Sequence, residues 1–578
     1  MFSFDSLPVE IWIRILCHIS WGTLLRMKQV SKKFCRLIET DPYVQYATLL
    51  SMAGYEDIGP HPKTLSERIG SLKSIESSFK TGLFPGRARS VVNDAMGAYD
   101  LQGGVYVQGR ECGEDSFRTS KVDVHQLPSL LYPGASWSLP NFAIPINDFT
   151  LNPYDDLLVT VEETSHGSPD DRSIMLRFLS LTDGSPHCQS CKSVLIQSGS
   201  RGQAINNGFF ITAMGDFVGL LTLRWHFLIV NWKTGKFYAF FEYDARDPVY
   251  SFFFLDDTHF VLARGQRTPP ELEIYQFSPS GGNGTQPALI AVYHLPRMAG
   301  SLYNIVCRSD PPPFCSRNDP ESKVQTRFRR LPFHPHLEDR AIVVRLTVIE
   351  DGLPIGYTLV FRASSLFNTH DGAKIEERGL DRQEIPVVEG KCWMQETFLS
   401  RGGMTSNYEC FIYGSRFLLL HSTELDDKGK LHNPGTRSLD NVVTIANVNP
   451  AMVAWVRAQL ASREQPHEWS QYRIIESKPV KTYPDIDGGW IGGLPIALTS
   501  LPHLTQADSS RVVAMIDGER LLMLRMVKGE LLQGNPTLNL FSWKLFHAIN
   551  RESIPLDLTP PPSTTGTAQS RIVKHPRD

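Results

Sequence analysis

The first fifty residues place apolar side chains with the period of an α-helix. Val9, Trp12, Leu16 and Ile19 recur at steps of three and four residues, which predicts a helix with one buried face. Similar patterns predict further short helices beginning near residues 24 and 31. Asp41 followed by Pro42 predicts the start of a fourth helix, which runs to about residue 53.

The pattern changes after one more helical stretch at 65–79. From about residue 89, apolar runs of five to eight residues alternate with clusters of Gly, Pro, Asn and Asp. Many short strands separated by turns indicate an all-β sandwich, barrel or propeller. We therefore expect a small α-helical unit followed by a large all-β body.

A weak internal repeat favours a propeller among these β architectures. Four segments share an apolar strand that leads into a polar turn: 122–128, 176–184, 228–235 and 272–277. Their starts are 54, 52 and 44 residues apart, close to the length of one four-stranded blade. The segment 228–235 resembles the outer part of a WD-type blade. We predict about six or seven blades, with longer spacing after residue 300.

These patterns divide the chain into four parts. We predict a helical domain at 1–54, a helical linker at 55–88, a propeller-like body at 89–558 and a disordered tail at 559–578. The stretch 307–340 is rich in Pro, Ser and charge, which predicts a long loop between strands.

The first helix carries more apolar residues than one buried face needs. They are Val9, Ile11, Trp12, Ile13, Ile15, Leu16 and Ile19. A helical unit of about fifty residues cannot bury all of them by itself. A helix that is apolar nearly all round needs a second surface, so we predict that this one binds a partner.

The order of motifs in this region resembles the F-box family across residues 4–50. The motifs are Leu7-Pro8-Val9-Glu10, Leu24-Leu25, Val30-Ser31-Lys32-Lys33-Phe34 and Leu37-Ile38. Trp21-Gly22-Thr23 departs from the family pattern, in which Asp or Pro often precedes the second helix. The resemblance implies that the unit binds a Skp-type adaptor, which bridges to a cullin. Carried over by position, the adaptor-binding residues are Leu7, Pro8, Ile11, Ile15, Leu24, Val30 and Phe34, some of which also serve the core.

The resemblance implies the substrate-recognition subunit of an SCF-type cullin–RING ubiquitin ligase, in which the β body binds the target protein. Such a subunit is not itself an enzyme. The alternatives are a stand-alone propeller scaffold for protein interactions or a propeller hydrolase, each with the helices as a cap. The target protein is not identified by the sequence.

Composition narrows the location and the partners. A formal net charge of −3 gives no general attraction to nucleic acid or to an anionic membrane. The opening residues lack the features of a secretory signal, and nine cysteines in 578 residues fit reduced thiols. We therefore expect a cytoplasmic or nuclear protein without a membrane partner.

Three short motifs have the residue types of ligand sites. His187-Cys188-Gln189-Ser190-Cys191 has ligand-like spacing but no second cysteine pair, and Asp485-Ile486-Asp487-Gly488-Gly489 lacks the later Glu of a calcium loop. Arg327-Phe328-Arg329-Arg330 has the composition of an RNA or acidic-partner contact, although a solvated loop is the simpler reading. We predict no catalytic residue, no metal and no cofactor.

Overall fold

The structure is a computed structural model. It describes residues 7–84, 89–92, 96–112, 115–165, 172–198, 209–222, 226–243, 247–265, 267–278, 286–298, 300–313, 328, 330–366, 385–388, 393–401, 410–422, 441–461, 472–475, 486–487, 493–501, 512–528 and 541–547. The predicted disordered tail lies outside these residues.

The chain opens with short helices whose ends follow local sequence signals. They are α1 (Val9–Cys17), α2 (Trp21–Val30), α3 (Lys32–Thr40) and α4 (Pro42–Ala53), followed by strand β1 (Tyr55–Asp57) and helix α5 (Leu65–Thr81). The Asp41 carboxylate accepts hydrogen bonds from two backbone N–H groups at the start of α4, and left-handed Gly54 ends that helix. Thr64 and Glu67 form a capping box at the start of α5.

Seven antiparallel sheets follow within the described residues, and each forms one blade. Strand β2 (Arg89–Val92) comes first in the chain and belongs to the seventh blade. Blade 1 contains β3 (Met96–Gln102), β4 (Val105–Cys112), β5 (Asp115–Gln126) and β6 (Ala135–Ser138). Blade 2 contains β7 (Asp148–Asn152), β8 (Leu157–Ser165), β9 (Arg172–Ser180) and β10 (Val194–Ser198). Blade 3 contains β11 (Phe209–Met214), β12 (Phe217–Thr222), β13 (His226–Asn231) and β14 (Phe237–Glu242).

The remaining blades include longer insertions. Blade 4 contains β15 (Val249–Phe254), β16 (His259–Arg264), β17 (Glu271–Gln276) and β18 (Ala288–His294). After β19 (Arg297–Met298), blade 5 contains β20 (Ser301–Arg308), β22 (Ala341–Glu350), β23 (Leu353–Arg362) and β25 (Thr397–Arg401), with β21 (Phe333–Pro335) inserted after its first strand. Strand β24 (Val387–Val388) pairs in parallel with β18.

Blade 6 contains β26 (Ile412–Tyr413), β27 (Arg416–Ser422), β28 (Asn441–Asn447), β31 (Ile496–Leu501) and β29 (Tyr472–Ile475). Helix α6 (Pro450–Ala461) lies between its third and fourth strands, and β30 (Ile486–Asp487) pairs with β19. Blade 7 contains β32 (Val512–Ile516), β33 (Leu521–Lys528) and β34 (Phe541–His547).

Neighbouring blades contact one another around a ring, in most pairs through their first strands. Strand β2 completes the seventh blade by pairing antiparallel with β34, with Arg89 opposite Phe546 and Val92 opposite Trp543. The sheet order therefore closes a seven-bladed propeller, in which the strand that follows the helices supplies the last edge of the ring. This confirms the predicted all-β body and its blade number.

The internal repeat read from the sequence coincides with one strand position. The four repeated segments are β5, β9, β13 and β17 with the turns that follow them, and each strand is third in its blade. The longer apolar stretches 411–420 and 512–526 are each a hairpin rather than a single strand. At the first hairpin Gly414 adopts φ 59°, a conformation that favours a tight two-residue turn.

The core lies between the faces of adjacent blades. Every residue of β12 and β13 is buried, because blades 2 and 4 cover the two faces of blade 3. Gly219 lies where a Cβ atom would come within 2.5 Å of the Phe252 ring. A continuous apolar run is what a strand buried on both faces requires.

The two ends of the ring differ in what the chain places there. Because α5 leads into β2, the strand directions put the first-to-second and third-to-fourth connections of every blade on the side of the helices. We call this side the helical face. The turns between second and third strands lie on the other side, which we call the opposite face.

Candidate functional site

Helix α1 has two apolar faces, and only one of them is packed. Trp12 and Leu16 are buried, whereas Ile11 and Ile15 are each 40% exposed. Both pairs are spaced four residues apart, so each pair lies along one side of the helix. The small core that encloses Leu16 is formed by α1 to α4. The outward side of α1 is therefore an apolar surface that the fold does not use.

This surface continues beyond Ile11 and Ile15. Leu7 and Pro8 are exposed at the start of α1, and Val30 is 85% exposed at the end of α2. We call these residues the apolar patch: Leu7, Pro8, Ile11, Ile15 and Val30. Val9 and Leu25 are also exposed, and the sequence-based choice of residues missed them.

Two of the predicted adaptor-binding residues face inward. Leu24 is fully buried in the helical core, so it does not belong to the apolar patch; its neighbour Leu25 points outward, as the rotation of about 100° per helical residue requires. Phe34 is half-buried and packs edge-on against Trp12, with ring centroids 5.0 Å apart. It stabilises the orientation of α1 against α3.

Helix α4 joins the helical unit to the ring. Its Val44 belongs to the core of the first helices, while Tyr46 and Leu50 belong to a cluster that continues into blades 5, 6 and 7. Strand β1 pairs antiparallel with β21, an insertion from blade 5. Helices α4 and α5 thus share an apolar core with the propeller, and α4 also contributes to the separate core of the first helices.

A buried ion pair lies at this joint. The Arg416 side chain from blade 6 is 2% exposed and forms an ion pair with Glu76 of α5. It donates a hydrogen bond to the Tyr55 hydroxyl at 2.7 Å and lies 4.2 Å from the Phe79 ring centroid. Burial alone lowers the pKa of Arg416, but the charge of Glu76 and the Tyr55 contact outweigh burial and raise it. The guanidinium therefore stays charged at the joint.

The helical face is covered near the axis of the ring by Phe328 and residues 330–340. Phe328 is buried against Trp137, with ring centroids 5.5 Å apart. Arg330 donates a hydrogen bond to the Tyr154 carbonyl at 2.6 Å. Arg340 is fully buried and donates to the carbonyls of Pro311 and Leu255 at 2.9 and 2.6 Å.

The reading of 327–330 as a solvated loop was therefore wrong for Phe328 and Arg330, which anchor this segment by burial and a hydrogen bond. Arg327 and Arg329 lie outside the described residues. The predicted loop at 307–340 also contains the end of β20 and all of β21.

A small cavity of about 30 Å³ is lined by residues of the first strands of most blades, including several carboxylates. Asp100 accepts hydrogen bonds from Thr150 and Gln102 at 2.9 and 3.1 Å, and Asp517 pairs with Arg520 at 2.6 Å. These two carboxylates are thus engaged in contacts that hold the blades in place. Such contacts do not favour the hydrolase alternative.

The His187–Cys191 motif forms a structural turn, whereas Ile486 and Asp487 of the calcium-loop-like motif form strand β30. The His187 ring contacts the Asp155 carbonyl through Nε2 at 2.9 Å and accepts from the Gln189 N–H through Nδ1 at 3.2 Å, so both nitrogens are used. The part of the chain that the structure describes has no group of three His, Cys, Asp or Glu residues arranged to hold a metal. Asp485, Gly488 and Gly489 lie outside it. Of the helices it contains, none has the length and apolar character needed to cross a membrane.

Comparison with protein families matches residues 4–45 to the F-box domain. A search among curated proteins found no match. Among solved structures, similarity is found to the WD40 domain of Toxoplasma gondii coronin, with 8% identity, TM-score 0.33, and coverage of 81% of this chain and 87% of that chain. The C-terminal WD40 domain of Sif2 is similar with 9% identity and a TM-score of 0.34, covering 81% of this chain and 99% of that chain. The β-propeller domain of Myceliophteria thermophila Cps50 (Swd1) is similar with 9% identity and a TM-score of 0.35, covering 80% of this chain and 100% of that chain.

These TM-scores and identities are too low to support an argument about the fold. The strand order by itself defines the propeller. The chain carries an F-box domain followed by a large β-propeller.

Proposed function

We propose that this chain is the substrate-recognition subunit of an SCF-type cullin–RING ubiquitin ligase. The apolar patch carries the proposal: it lies within a matched F-box domain, and its residues stay exposed although Trp12 and Leu16 of α1 are packed. F-box domains bind Skp-type adaptors. The adaptor would bind by burying the apolar patch, and the propeller would bind the target.

The role of the chain would be to bring two proteins together. Ubiquitin transfer would be carried out by other subunits, and the chain would raise the effective concentration of a target lysine near the charged carrier enzyme. A rigid connection serves this purpose better than a flexible one, because it fixes the distance between adaptor and target. The shared core through α4 and the Glu76–Arg416 pair support such a connection.

An adaptor-capture experiment tests the proposal. The full chain should retain a purified Skp-type adaptor, and the double variant Leu7→Ala/Pro8→Ala should lose most of that binding. Leu83→Ala is the matched control, because Leu83 is 63% exposed but lies after α5, outside the F-box domain. Circular dichroism should show an unchanged fold for both variants. Equal capture by wild type and double variant contradicts the proposal and favours a stand-alone scaffold.

The target would bind the opposite face of the ring. On the helical face, the region around the axis is occupied by the helices, the β1–β21 pair, Phe328 and residues 330–340. The opposite face presents the turns between second and third strands, such as Asp351-Gly352, which is exposed.

Insertion of a short peptide tag tests this assignment. A tag of about ten residues after Asp351 should block target capture on the opposite face, since exposed loop tips tolerate insertions. The same tag after exposed Lys236, on the helical face, is the control and should leave capture intact. Loss of capture only with the tag after Lys236 contradicts the assignment. The protein used for target capture should carry Leu7→Ala/Pro8→Ala rather than a deletion of the helices. Deleting them would remove Tyr46 and Leu50, which belong to the core shared with the propeller.

A further inference from the structure

Three helices enclose a cleft of about 250 Å³ beside blade 6, away from the apolar patch. Helix α4 contributes Leu49 and Met52, α5 contributes Lys73 and Lys80, and α6 contributes Met452 and Trp455. A single water needs only about 15 Å³ of such space, so the cleft has room for large side chains.

Apolar side chains form part of the lining of this cleft, beside polar residues such as Ser77, Asn447 and Asn449. Of the apolar residues, Met452 is buried, and Leu49, Met52 and Trp455 are half-buried. The Trp455 ring is held edge-on against Tyr472, with centroids 5.8 Å apart. Methionine and tryptophan side chains adapt well to an inserted apolar side chain, and they are enriched at protein interfaces.

The charge around the cleft is positive. The Lys80 ammonium lies 5.7 Å from the centre of the Trp455 ring, and Lys73 is exposed on the same helix. Among the described residues that line the cleft, Glu76 has the one carboxylate, and it is already paired with buried Arg416. The two lysines therefore give this apolar cleft a net positive rim, which complements carboxylates.

We propose that the cleft binds a short acidic segment of a partner protein, with a large apolar side chain inserted between Met452 and Trp455 and carboxylates facing Lys73 and Lys80. Apolar burial gives the affinity, and the charge pairs set orientation and choice of partner. The cleft lies on α4, α5 and α6, so this binding does not depend on the proposed adaptor contact at the apolar patch.

Fluorescence anisotropy with the full chain tests the proposal. The probe is a fluorescein-labelled peptide of two leucines flanked on both sides by three aspartates, and the matched peptide replaces the aspartates with lysines. The acidic peptide should bind, and the basic one should bind at least tenfold more weakly. Lys80→Glu and Lys73→Glu should each weaken the acidic peptide at least fivefold. Lys236→Glu makes the same charge change at an exposed site on blade 3 and should have no effect.

Adaptor capture by the same variants shows that they are folded and separates this inference from the proposed ligase role, because capture should be unchanged. Equal binding of both peptides, no binding of either, or binding unaffected by Lys73→Glu and Lys80→Glu overturns the proposal. Tighter binding of a peptide with the sequence of residues 549–560 would assign the cleft to the chain's own terminus and overturn the proposal of a separate partner. A dimer that Lys80→Glu converts to a monomer would assign the cleft to a second copy of the chain and overturn it as well.

Discussion

Replacing Glu76 with Gln should destabilise the joint between the helices and the ring by about 3 kcal/mol. The variant leaves the Arg416 guanidinium, 2% exposed, without its counter-charge, and removal of one partner of a buried pair typically costs about 3–5 kcal/mol. The Glu76 side chain is itself 17% exposed, so water reaches the pair and the expected cost lies at the lower end. This is a large share of the ~5–15 kcal/mol that stabilises a typical domain.

Urea unfolding followed by tryptophan fluorescence measures this change. The control removes both charges: Glu76→Leu combined with Arg416→Met should cost no more than about 1–2 kcal/mol, because an apolar pair of similar volume replaces the ion pair. The Tyr55 hydroxyl loses its donor in that variant, which accounts for about 1 kcal/mol of this cost. Adaptor capture should be unaffected by either change, since the apolar patch lies on other helices.

A cost of less than about 1 kcal/mol for Glu76→Gln, the value expected for an exposed pair, would show that Arg416 does not need its counter-charge. A double variant less stable than the single one would show that the unpaired charge of Arg416 is not the cause of the loss.

Three further changes test the fold. Burial lowers the pKa of His334 from 6.5 to about 3, so the unfolded chain takes up a proton that the folded chain does not, and stability is lost as the pH falls below about 6.5. By pH 5 the loss of stability amounts to about 2 kcal/mol. His334→Gln should remove this loss, which is measured by comparing urea unfolding midpoints at pH 7 and pH 5. Equal changes of midpoint in the wild type and the variant contradict the prediction. Gly219→Ala should cost about 1–3 kcal/mol, because the new methyl group meets Phe252, and an unchanged unfolding midpoint would show that the ring moves freely. Gly22→Ala meets nothing within 4 Å and lies in α2, so it should raise stability by up to about 1 kcal/mol; a loss there contradicts the helix assignment.

The sequence predicts well wherever the determining residues are close together in the chain. Helix α4 has the predicted bounds, because Asp41, Pro42 and Gly54 are local signals. The repeat identified third strands because each is apolar and leads into a polar turn within about ten residues. The prediction of about six or seven blades came from the chain length alone, and the structure has seven.

Contacts between distant residues were not predictable in the same way. Glu76 and Arg416 are 340 residues apart, and neither has a local signal for burial. Arg330 looks like a solvated charge until the Tyr154 carbonyl is placed beside it. The choice between Leu24 and Leu25 for the apolar patch depends on the rotation of α2 against its neighbours, which adjacent apolar residues leave open.

The pairing of β2 with β34 has a consequence for synthesis. About 450 residues separate these two strands, so at ~5–20 residues per second the ribosome needs roughly 20–90 s to deliver the partner of β2. Over that time β2 has no β34 to pair with, and an unpaired strand edge is prone to aggregation. We therefore expect the nascent chain to need chaperone protection until its last blade emerges, and ribosome-bound chains halted before Phe541 should be recovered with chaperones more often than chains released after His547.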